Sequence, residues 1–313
     1  MPLLTRKQAI LIEIESSYAD STVPTGADAL LVSNLSITPL ASDVVTRDYV
    51  RPYLGAAEQL LANTRVEITF SVELVASGTK GTAPGYNKAL LACGLSETVS
   101  SGTSVTYAPV SGSFSSAVIH YFIDGVRHKC KGARGSFALS AEVGAIPTLD
   151  FTFTGLYESP DDSALPTPTF NAQPTPLIFK SSNTTGFNIL GHQAGLNSFS
   201  VDVANTITYR EVIGGATPKE VLLTERASNG SVTIDAVLMA TKNFFDLANT
   251  DASLGALSVT HGTQDGQKVQ FISSKCDISD PNYGDADGIA TLEIPFTLVP
   301  SASGNDEFSL VYS

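Results

Sequence analysis

The residues of this 313-residue chain that could do chemistry are few and far apart. His128 and Cys130 stand two positions apart on a predicted strand, so both side chains would face the same side, as in one half of a zinc site. No second pair of ligands at such spacing accompanies them in the sequence. We therefore interpret both as ordinary strand and hairpin residues and predict no metal site.

Two further stretches resemble ligand-binding loops in composition but not in order. In GTKGT, residues 78–82, the lysine precedes the second glycine, whereas it follows that glycine in a phosphate-binding loop. In DISDPNYGDADG, residues 277–288, four aspartates lie close together, but the first acid and the spacing of a calcium loop are missing. The GxSxG motif of α/β-hydrolases is also absent. The sequence predicts no catalytic residue, no cofactor and hence no enzyme.

The charge balance argues against binding nucleic acid through a basic surface. Acidic residues number 31 against 18 basic ones, which gives a formal net charge of −13. The densest basic cluster is RHKCK at 127–131, with Arg134 shortly after it. Because lysine and arginine supply most of the affinity for a phosphate backbone, we expect the acidity to serve solubility or to repel DNA.

The cysteines and the apolar runs indicate a cytoplasmic setting. Three cysteines without CxxC spacing favour reduced thiols over a disulfide framework. The start of the chain, MPLLTRKQAILIEIESS, does not resemble a signal peptide, because Glu13 stops its apolar run. Nowhere does the sequence reach the roughly 20 apolar residues of a membrane span. We expect a protein that is made and folded in the cytoplasm and has no membrane partner.

A proline-rich stretch divides the chain. Residues 158–177 hold five prolines in twenty positions, which favours an extended, semi-stiff linker. Ahead of the first predicted domain, polar and turn-forming residues followed by a short apolar run indicate an extended arm that needs another surface to cover it. The sequence thus predicts an arm at 1–33, a first domain at 34–157, the linker at 158–177 and a second domain at 178–313.

The two halves on either side of this linker carry similar segments in the same order. Each half has strand-like runs, one short helical segment, an Asp-Gly hairpin signal and a closing strand of alternating residues. The corresponding pairs are 35–38 and 199–202, 65–74 and 231–238, 86–93 and 241–248, 124–125 and 265–266, and 148–154 and 291–297. This order indicates a duplicated domain.

Period-two alternation dominates both halves and predicts sheets with one apolar and one polar face. Val66, Ile68 and Phe70 would point into a core while Glu67 and Thr69 face water. The predicted fold class is therefore all-β with minor α. It consists of two tandem β-sandwich or half-barrel tube domains, each with one short flanking helix and long hairpins, and an extended N-terminal arm.

Four stretches spread over the chain resemble a single family of proteins. They are IEIESSYADSTVPTGADALLVSNLSITPL (12–40), RDYVRPYLG (47–55), FTFTGLY (151–157) and GNDEFSLVYS (304–313). Together they resemble the major tail tube proteins of long, flexible-tailed bacteriophages and related prophages, over essentially the whole chain. One departure is Ala19, where we would expect a glycine after the tyrosine of the arm.

The resemblance implies a structural virion protein of the siphovirus type, which self-assembles into stacked rings that form the tail tube for genome delivery. Family members usually have one domain and form six-membered rings, so two tandem domains imply a homotrimeric, pseudo-sixfold ring. If the halves are not true repeats, a homohexamer is the better alternative. The implied partners are tape-measure and tail terminator proteins, and DNA passes through without specific binding. The tail would be assembled in the host cytoplasm.

In such a tube, polar strand faces are candidates to line the bore, because acidic and hydroxyl groups do not hold phosphate. The candidate lumen-facing residues are Arg65, Glu67, Thr69, Ser71, Glu73, Asp150, Thr152, Thr154, Ser231, Thr233 and Asp235. The arm would lie on an adjacent subunit, and the alternative is an arm folded back on its own domain. The candidate inter-subunit residues of the arm are Tyr18, Val23, Leu30, Leu31 and Val32.

A second class of function stays open at this point, a two-domain tail-tip or adhesin-type binding module. Such a module would need an exposed aromatic pocket or groove, and the absence of tryptophan argues against a carbohydrate platform. An enzyme with a diffuse active site ranks below both.

Overall fold

The computed structural model describes residues 2–170, 173–250 and 254–313. These residues form mostly β-strands together with two short α-helices, so the predicted all-β fold with minor α is confirmed. None of the helices in these ranges has the length and apolarity needed to cross a membrane.

The strands are distributed over both halves of the chain. In the first half the described elements are β1 (Gln8–Ile14), a 3-10 turn (Gly26–Asp28), β2 (Ala29–Leu30), β3 (Ser33–Thr46), β4 (Gln59–Glu73), α1 (Asn87–Ala92), β5 (Leu95–Ser100), β6 (Ser104–Pro109), β7 (Ala117–Ile123), β8 (Val126–Glu142) and β9 (Thr148–Asp162). In the second half they are β10 (Thr184–Ile189), β11 (Leu196–Asp202), β12 (Asn205–Glu211), β13 (Lys219–Arg226), β14 (Asn229–Asp235), α2 (Phe244–Ala248), β15 (Leu254–His261), β16 (Val269–Ile278), β17 (Asn282–Ala286), β18 (Ile289–Leu298) and β19 (Ser309–Tyr312).

Five antiparallel pairings recur in the same chain order in the two halves. In the first half β1 pairs with β7, β3 with β4, β4 with β9, β7 with β8, and β8 with β9. In the second half β10 pairs with β15, β11 with β14, β14 with β18, β15 with β16, and β16 with β18. The two halves therefore share one topological plan. In the second half, four shorter strands take the place of the long hairpin β3–β4. β11 and β12 correspond to β3, and β13 and β14 correspond to β4.

Strict alternation explains why these segments form sheets with a dry and a wet side. In β4 the side chains of Val66, Ile68, Phe70 and Val72 are buried, and Glu73 is exposed. Successive residues of a strand point to opposite faces, so the apolar set lies on one side. The Phe70 ring packs on phenylalanines of β9, with a centroid distance of 5.5 Å to Phe151. Such cross-strand aromatic pairs fix the register of the sheet.

The two halves join through their sheets. The end of β8 pairs with β11, from Ser198 opposite Glu142 to Asp202 opposite Ala138. A second junction pairs β19 with β6, where Leu310 lies opposite Tyr107. Buried side chains of both halves belong to one hydrophobic core. The central sheet accordingly runs β3–β4–β9–β8–β11–β14–β18–β17 across the whole chain.

Each helix is short and closes the core at one end. The Tyr86 hydroxyl, at the start of α1, donates a hydrogen bond of 2.8 Å to the carbonyl of Val75, and Leu90 is fully buried. At the start of α2, the Asn243 side chain accepts a hydrogen bond from the Asp246 N–H at 3.1 Å, as an N-cap residue should. Phe244 anchors this second helix in the core.

Two of the segments predicted from composition to be an arm and a linker contain strand residues. Residues 8–14 of the predicted arm 1–33 form β1, which pairs with β7 along its whole length. In the predicted linker 158–177, β9 continues to Asp162. Both strands satisfy their backbone hydrogen bonds in the sheet, which polar or proline-rich composition does not forbid at a sheet margin.

Candidate assembly surfaces and bore-lining face

The residues predicted to line a bore are brought together on one side of the central sheet. Cross-strand register joins Glu73 to Thr148, Thr148 to Ser140, Ser140 to Ser200, and Ser200 to Ser231. We call this side, opposite the buried phenylalanines and valines, the polar face. It runs without interruption from the first half to the second, which sequence patterns within each half did not predict.

The polar face is acidic. Its strand segments are 65–74, 136–142, 148–155, 196–202, 229–235 and 289–298, and within them Arg65 is the only basic residue. Arg65 is itself neutralised, because its guanidinium lies 2.9 Å from the Glu67 carboxylate and 3.4 Å from that of Asp43. The acids in these segments are Glu67, Glu73, Glu142, Asp150, Asp202, Asp235 and Glu293. A phosphate approaching this surface meets acids and hydroxyls.

Exposure divides the predicted lumen-facing residues into groups. The exposed ones are Thr69, Glu73, Asp150, Thr152 and Asp235. Arg65, Glu67, Thr154, Ser231 and Thr233 are half-buried. Ser71 is buried, and its hydroxyl accepts a hydrogen bond from the Asn34 side chain at 3.3 Å.

One end of the polar face is covered by the β12–β13 hairpin. Arg65, Glu67 and Thr154 form a cleft of about 410 Å³ with Ile207 and Tyr209 of β12. These side chains therefore lie at the bottom of a cleft between the two halves. The open part of the face is the end that carries Glu73, Asp150 and Asp235.

The β12–β13 hairpin is held firmly by the first half. Arg134 of β8 donates a hydrogen bond of 2.7 Å to the carbonyl of Val221, whose side chain is buried. The Asn205 amide donates to the carbonyls of Cys93 at 2.7 Å and Gly135 at 3.0 Å. Polar side chains thus satisfy backbone groups at the contact, and apolar side chains of the hairpin are removed from water.

The equivalent hairpin of the first half, β3–β4, has no comparable cover in the described residues. Val44, Val45, Leu60 and Leu61 are each about half-exposed on its two strands. Its loop, residues 47–58, carries further exposed apolar side chains, and we call it the tip loop. An exposed apolar surface of this kind marks an interaction site in a soluble protein.

Two edges of the central sheet are open. Among the described strands, β3 pairs only with β4, and β17 pairs only with β18. Every residue of β17 is exposed. An open edge presents unpaired N–H and C=O groups that pair readily with another chain.

The segment that follows β1 is packed on its own chain at its beginning. The buried Glu15 carboxylate accepts hydrogen bonds from the Gly132 N–H at 2.8 Å and the Ser116 hydroxyl at 2.6 Å. The Tyr18 ring lies 5.0 Å from the guanidinium of Arg134, and burial raises the pKa of Tyr18 to about 12. Tyr18 thus sits between β8 of the first half and β13 of the second.

The remaining residues predicted for contact with a neighbouring subunit differ in their exposure. Leu30 is buried, because β2 places it opposite Ile10 of β1. Val32 is partly buried against the core. Val23 and Leu31 are exposed, at 62% and 47% of their surface. In a single chain, only these last two are free to contact another subunit.

The residues considered above for metal binding, His128 and Cys130, have different surroundings. His128 stacks on Tyr121 at a centroid distance of 6.0 Å, whereas Cys130 is buried in the core. Burial raises the pKa of the Cys276 thiol to about 12, so it is a protonated core residue. Among the described residues, no group of three or more His, Cys, Asp or Glu side chains could hold a metal ion.

Open sheet edges and an uncovered apolar hairpin are typical of a β-protein that pairs with other chains. A model of the phage tail tube protein family matches residues 5–298. The chain therefore belongs to the phage tail tube protein family, and it is a structural protein of the virion tail that self-assembles into a tube. A comparison with curated proteins gives no match. Nothing in the fold or the family favours the tail-tip or adhesin alternative.

Proposed function

We propose that three copies of this chain close each ring of the tube by pairing β17 of one chain with β3 of the next. The polar face then lines the bore through which the genome of a long, flexible-tailed phage passes. The observation that carries this proposal is the pairing of β8 with β11, which joins the two halves inside one chain.

The pairing of β8 with β11 indicates how two chains would pair, because both strands have equivalents elsewhere in the central sheet. Asp150 of β9 lies opposite Ala138 of β8, and Glu293 of β18 lies opposite Asn282 of β17. Because the strands around Asp150 and Glu293 correspond in the repeat, β17 corresponds to the end of β8. In the same way β3 corresponds to β11, since they pair with β4 and β14. The strands β8 and β11, which pair within the chain, therefore have counterparts in β17 and β3, the two strands at the open ends of the central sheet.

Head-to-tail pairing of β17 in one chain with β3 in the next leads to a ring. A chain in which the two halves are already joined supplies two tube domains and one of the junctions. Three chains supply six domains, the number that the family resemblance implies for a ring. Closing the ring removes both open edges, which is the usual way for sheets to avoid uncontrolled pairing.

The apolar hairpin supports the same arrangement. In the second half, the hairpin β12–β13 packs on the first half and buries Val221. By equivalence, the hairpin β3–β4 packs on the second half of the neighbouring chain and covers Leu60 and Leu61. The exposed Val23 and Leu31 of the N-terminal segment would add contacts to an adjacent subunit. Each square ångström of apolar surface removed from water contributes about 25 cal/mol.

The charge of the polar face suits a conduit for DNA. Acidic and hydroxyl groups give phosphate no site to bind, whereas a lysine-lined bore would retain each phosphate that it met. Tape-measure and terminator proteins are the proposed partners at the interior and end of the tube, and assembly is proposed to occur in the host cytoplasm.

Native mass spectrometry of the purified protein tests the ring. With a chain mass of 32.8 kDa, we expect a dominant species of three chains and its multiples. The N–H of Gly284 faces β18, so the neighbouring N–H of Asp285 faces the open edge of β17. The variant Asp285→Pro removes this edge donor and should yield folded monomers. Proline at Ala216, in the exposed loop after β12, is the matched control and should leave trimers. Hexamers in place of trimers, or trimers from the Asp285→Pro variant, would overturn the proposal.

A further inference from the structure

A groove lies at one rim of the central sheet. It has a volume of about 530 Å³ and lies between the β8–β9 turn and the turns around β10. Such a volume falls in the range of roughly 300–1,000 Å³ typical of binding clefts. Its apolar lining residues are Val143, Phe179, Phe187, Ala194 and Leu196, and Lys180 is its basic residue. We call it the rim groove.

The tip loop exposes several large apolar side chains. Val50 and Leu54 are fully exposed, and Tyr53 is exposed over 66% of its surface. Two arginines of the loop lie against the Tyr49 ring, Arg47 at 4.7 Å and Arg51 at 5.4 Å from its centroid, and Arg47 also pairs with the Glu58 carboxylate at 2.8 Å. So many large apolar side chains are rarely exposed to water unless they form an interaction site.

The tip loop and the rim groove lie at opposite ends of the sheet. The tip loop precedes Gln59, the first residue of β4, and Glu73 is the last. Glu73 lies opposite Thr148, next to the β8–β9 turn that contains Val143. With 15 residues, β4 spans roughly 45 Å between the two features. They are therefore too far apart to meet within one chain, whereas two rings stacked in the same orientation would bring the tip loops of one ring towards the rim grooves of the next.

Each chain has one tip loop and one rim groove. The equivalent loop of the second half, 212–218, is shorter and carries Ile213 as its exposed apolar residue. In the second half, the short turn 190–195 between β10 and β11 lies beside the groove. In the first half, the long segment 15–32 occupies the equivalent position. Both features are therefore present in equal number.

The equivalent loop of the second half stands free of the rest of its chain. Around Gly214 and Gly215, no other atom lies within 4 Å of where a Cβ would stand. Since this hairpin packs on the first half and still leaves its loop free, the tip loop would stand equally free of its neighbour within the ring. Its apolar residues remain available to the next ring.

We propose that the tip loop of each chain inserts its apolar side chains into the rim groove of a chain in the next ring, an inference that rests on the proposed ring. Exposed Glu142 flanks the groove, next to Val143. It offers a partner to Arg51. Because the two contact surfaces differ, the contact does not close on itself and produces an open stack of rings.

Charged substitutions separate ring stacking from ring formation. The double variant Tyr53→Asp and Leu54→Asp should form trimers by native mass spectrometry but no tubes by negative-stain microscopy. Ala194→Trp, which fills the groove, should give the same result. The matched control is Ile213→Asp in the equivalent loop, which should form normal tubes. Normal tubes from both the tip and the groove variants would overturn the inference.

Disulfide trapping tests the contact directly. The three native cysteines are buried, so introduced thiols dominate the reaction. Tyr53→Cys combined with Thr185→Cys, at the groove, should give a ladder of covalently linked chains when assembled tubes are oxidised. Tyr53→Cys combined with the exposed Ser303→Cys is the control, because Ser303 follows the Leu298 end of β18, away from the groove. Tubes that form but give no ladder contradict the contact. Parent protein that forms no rings contradicts the proposed function instead.

Discussion

The hydroxyl oxygen of Tyr18 accepts a hydrogen bond of 2.6 Å from the backbone N–H of Val221, which joins the N-terminal segment to the second half of the chain. Val221 is fully buried, so its N–H has no access to water as an alternative partner. Because Arg134 binds the carbonyl of the same residue, both polar groups of Val221 depend on side chains of the first half. This small network fixes the position of the β12–β13 hairpin.

We predict that Tyr18→Phe lowers the free energy of unfolding by about 1–3 kcal/mol, because it leaves a buried N–H without an acceptor. Urea unfolding of an assembly-blocked variant such as Asp285→Pro measures the effect. Tyr209→Phe serves as the control, since the Tyr209 hydroxyl bonds only to the exposed side chain of Glu211. Equal stability of the Tyr18 and Tyr209 variants would show that the contact carries no weight in the single chain.

His120 makes the stability of the chain depend on pH. Burial, with Arg127 and Lys129 nearby, lowers the pKa of His120 to about 4 against the pull of Asp161 and Glu158. The unfolded chain binds a proton near pH 6.5 and the folded chain does not, so stability falls as the pH drops from 6.5 towards 4.

We expect this residue to account for about 2 kcal/mol of the stability lost between pH 7 and pH 4.5. His120→Gln should remove that part of the slope while leaving the parts due to other residues. Urea unfolding of both chains in the same assembly-blocked background at the two pH values measures it. An unchanged slope in the variant would contradict the assignment.

The proposed acidic bore predicts a charge-dependent passage of DNA. Changing Glu73, Asp150 and Asp235 to lysine should leave tubes intact but slow DNA ejection, because lysines bind phosphate. Glu67 is left unchanged, since it pairs with Arg65 in the cleft under β12. The matched control replaces the same three residues by their amides, which removes charge without adding cations. Ejection from phage particles at normal speed in the lysine variant would show that these residues do not face the bore.

The uncovered hairpin predicts a site where a single charge blocks the ring. Leu61→Asp should produce folded monomers, because the carboxylate would be buried against the neighbouring chain. Val99→Asp on β5 is the control, because Val99 is about as exposed as Leu61 in the single chain. Sedimentation velocity distinguishes monomers from rings. If the Leu61→Asp variant still forms rings, the hairpin β3–β4 does not lie in the interface between chains.

Local patterns in the sequence predicted what local forces decide. Alternation in β4 and β9 identified the buried side chains, and the Asp-Gly pair predicted the β7–β8 hairpin, where both Asp124 and Gly125 have positive φ. The destination of Tyr18 and the cover over Arg65 were missed, because both depend on contacts with β13 and β12, far away in the chain. The pairing of β8 with β11 was missed for the same reason, since no period in either strand names its partner.

The most direct test of the account is a projection image of assembled tubes along their axis. We predict three-fold symmetry with six similar lobes per ring, since each chain contributes two equivalent halves joined as β8 joins β11. Six identical chains with twelve lobes, or a ring whose lobes do not alternate between two kinds, would contradict it.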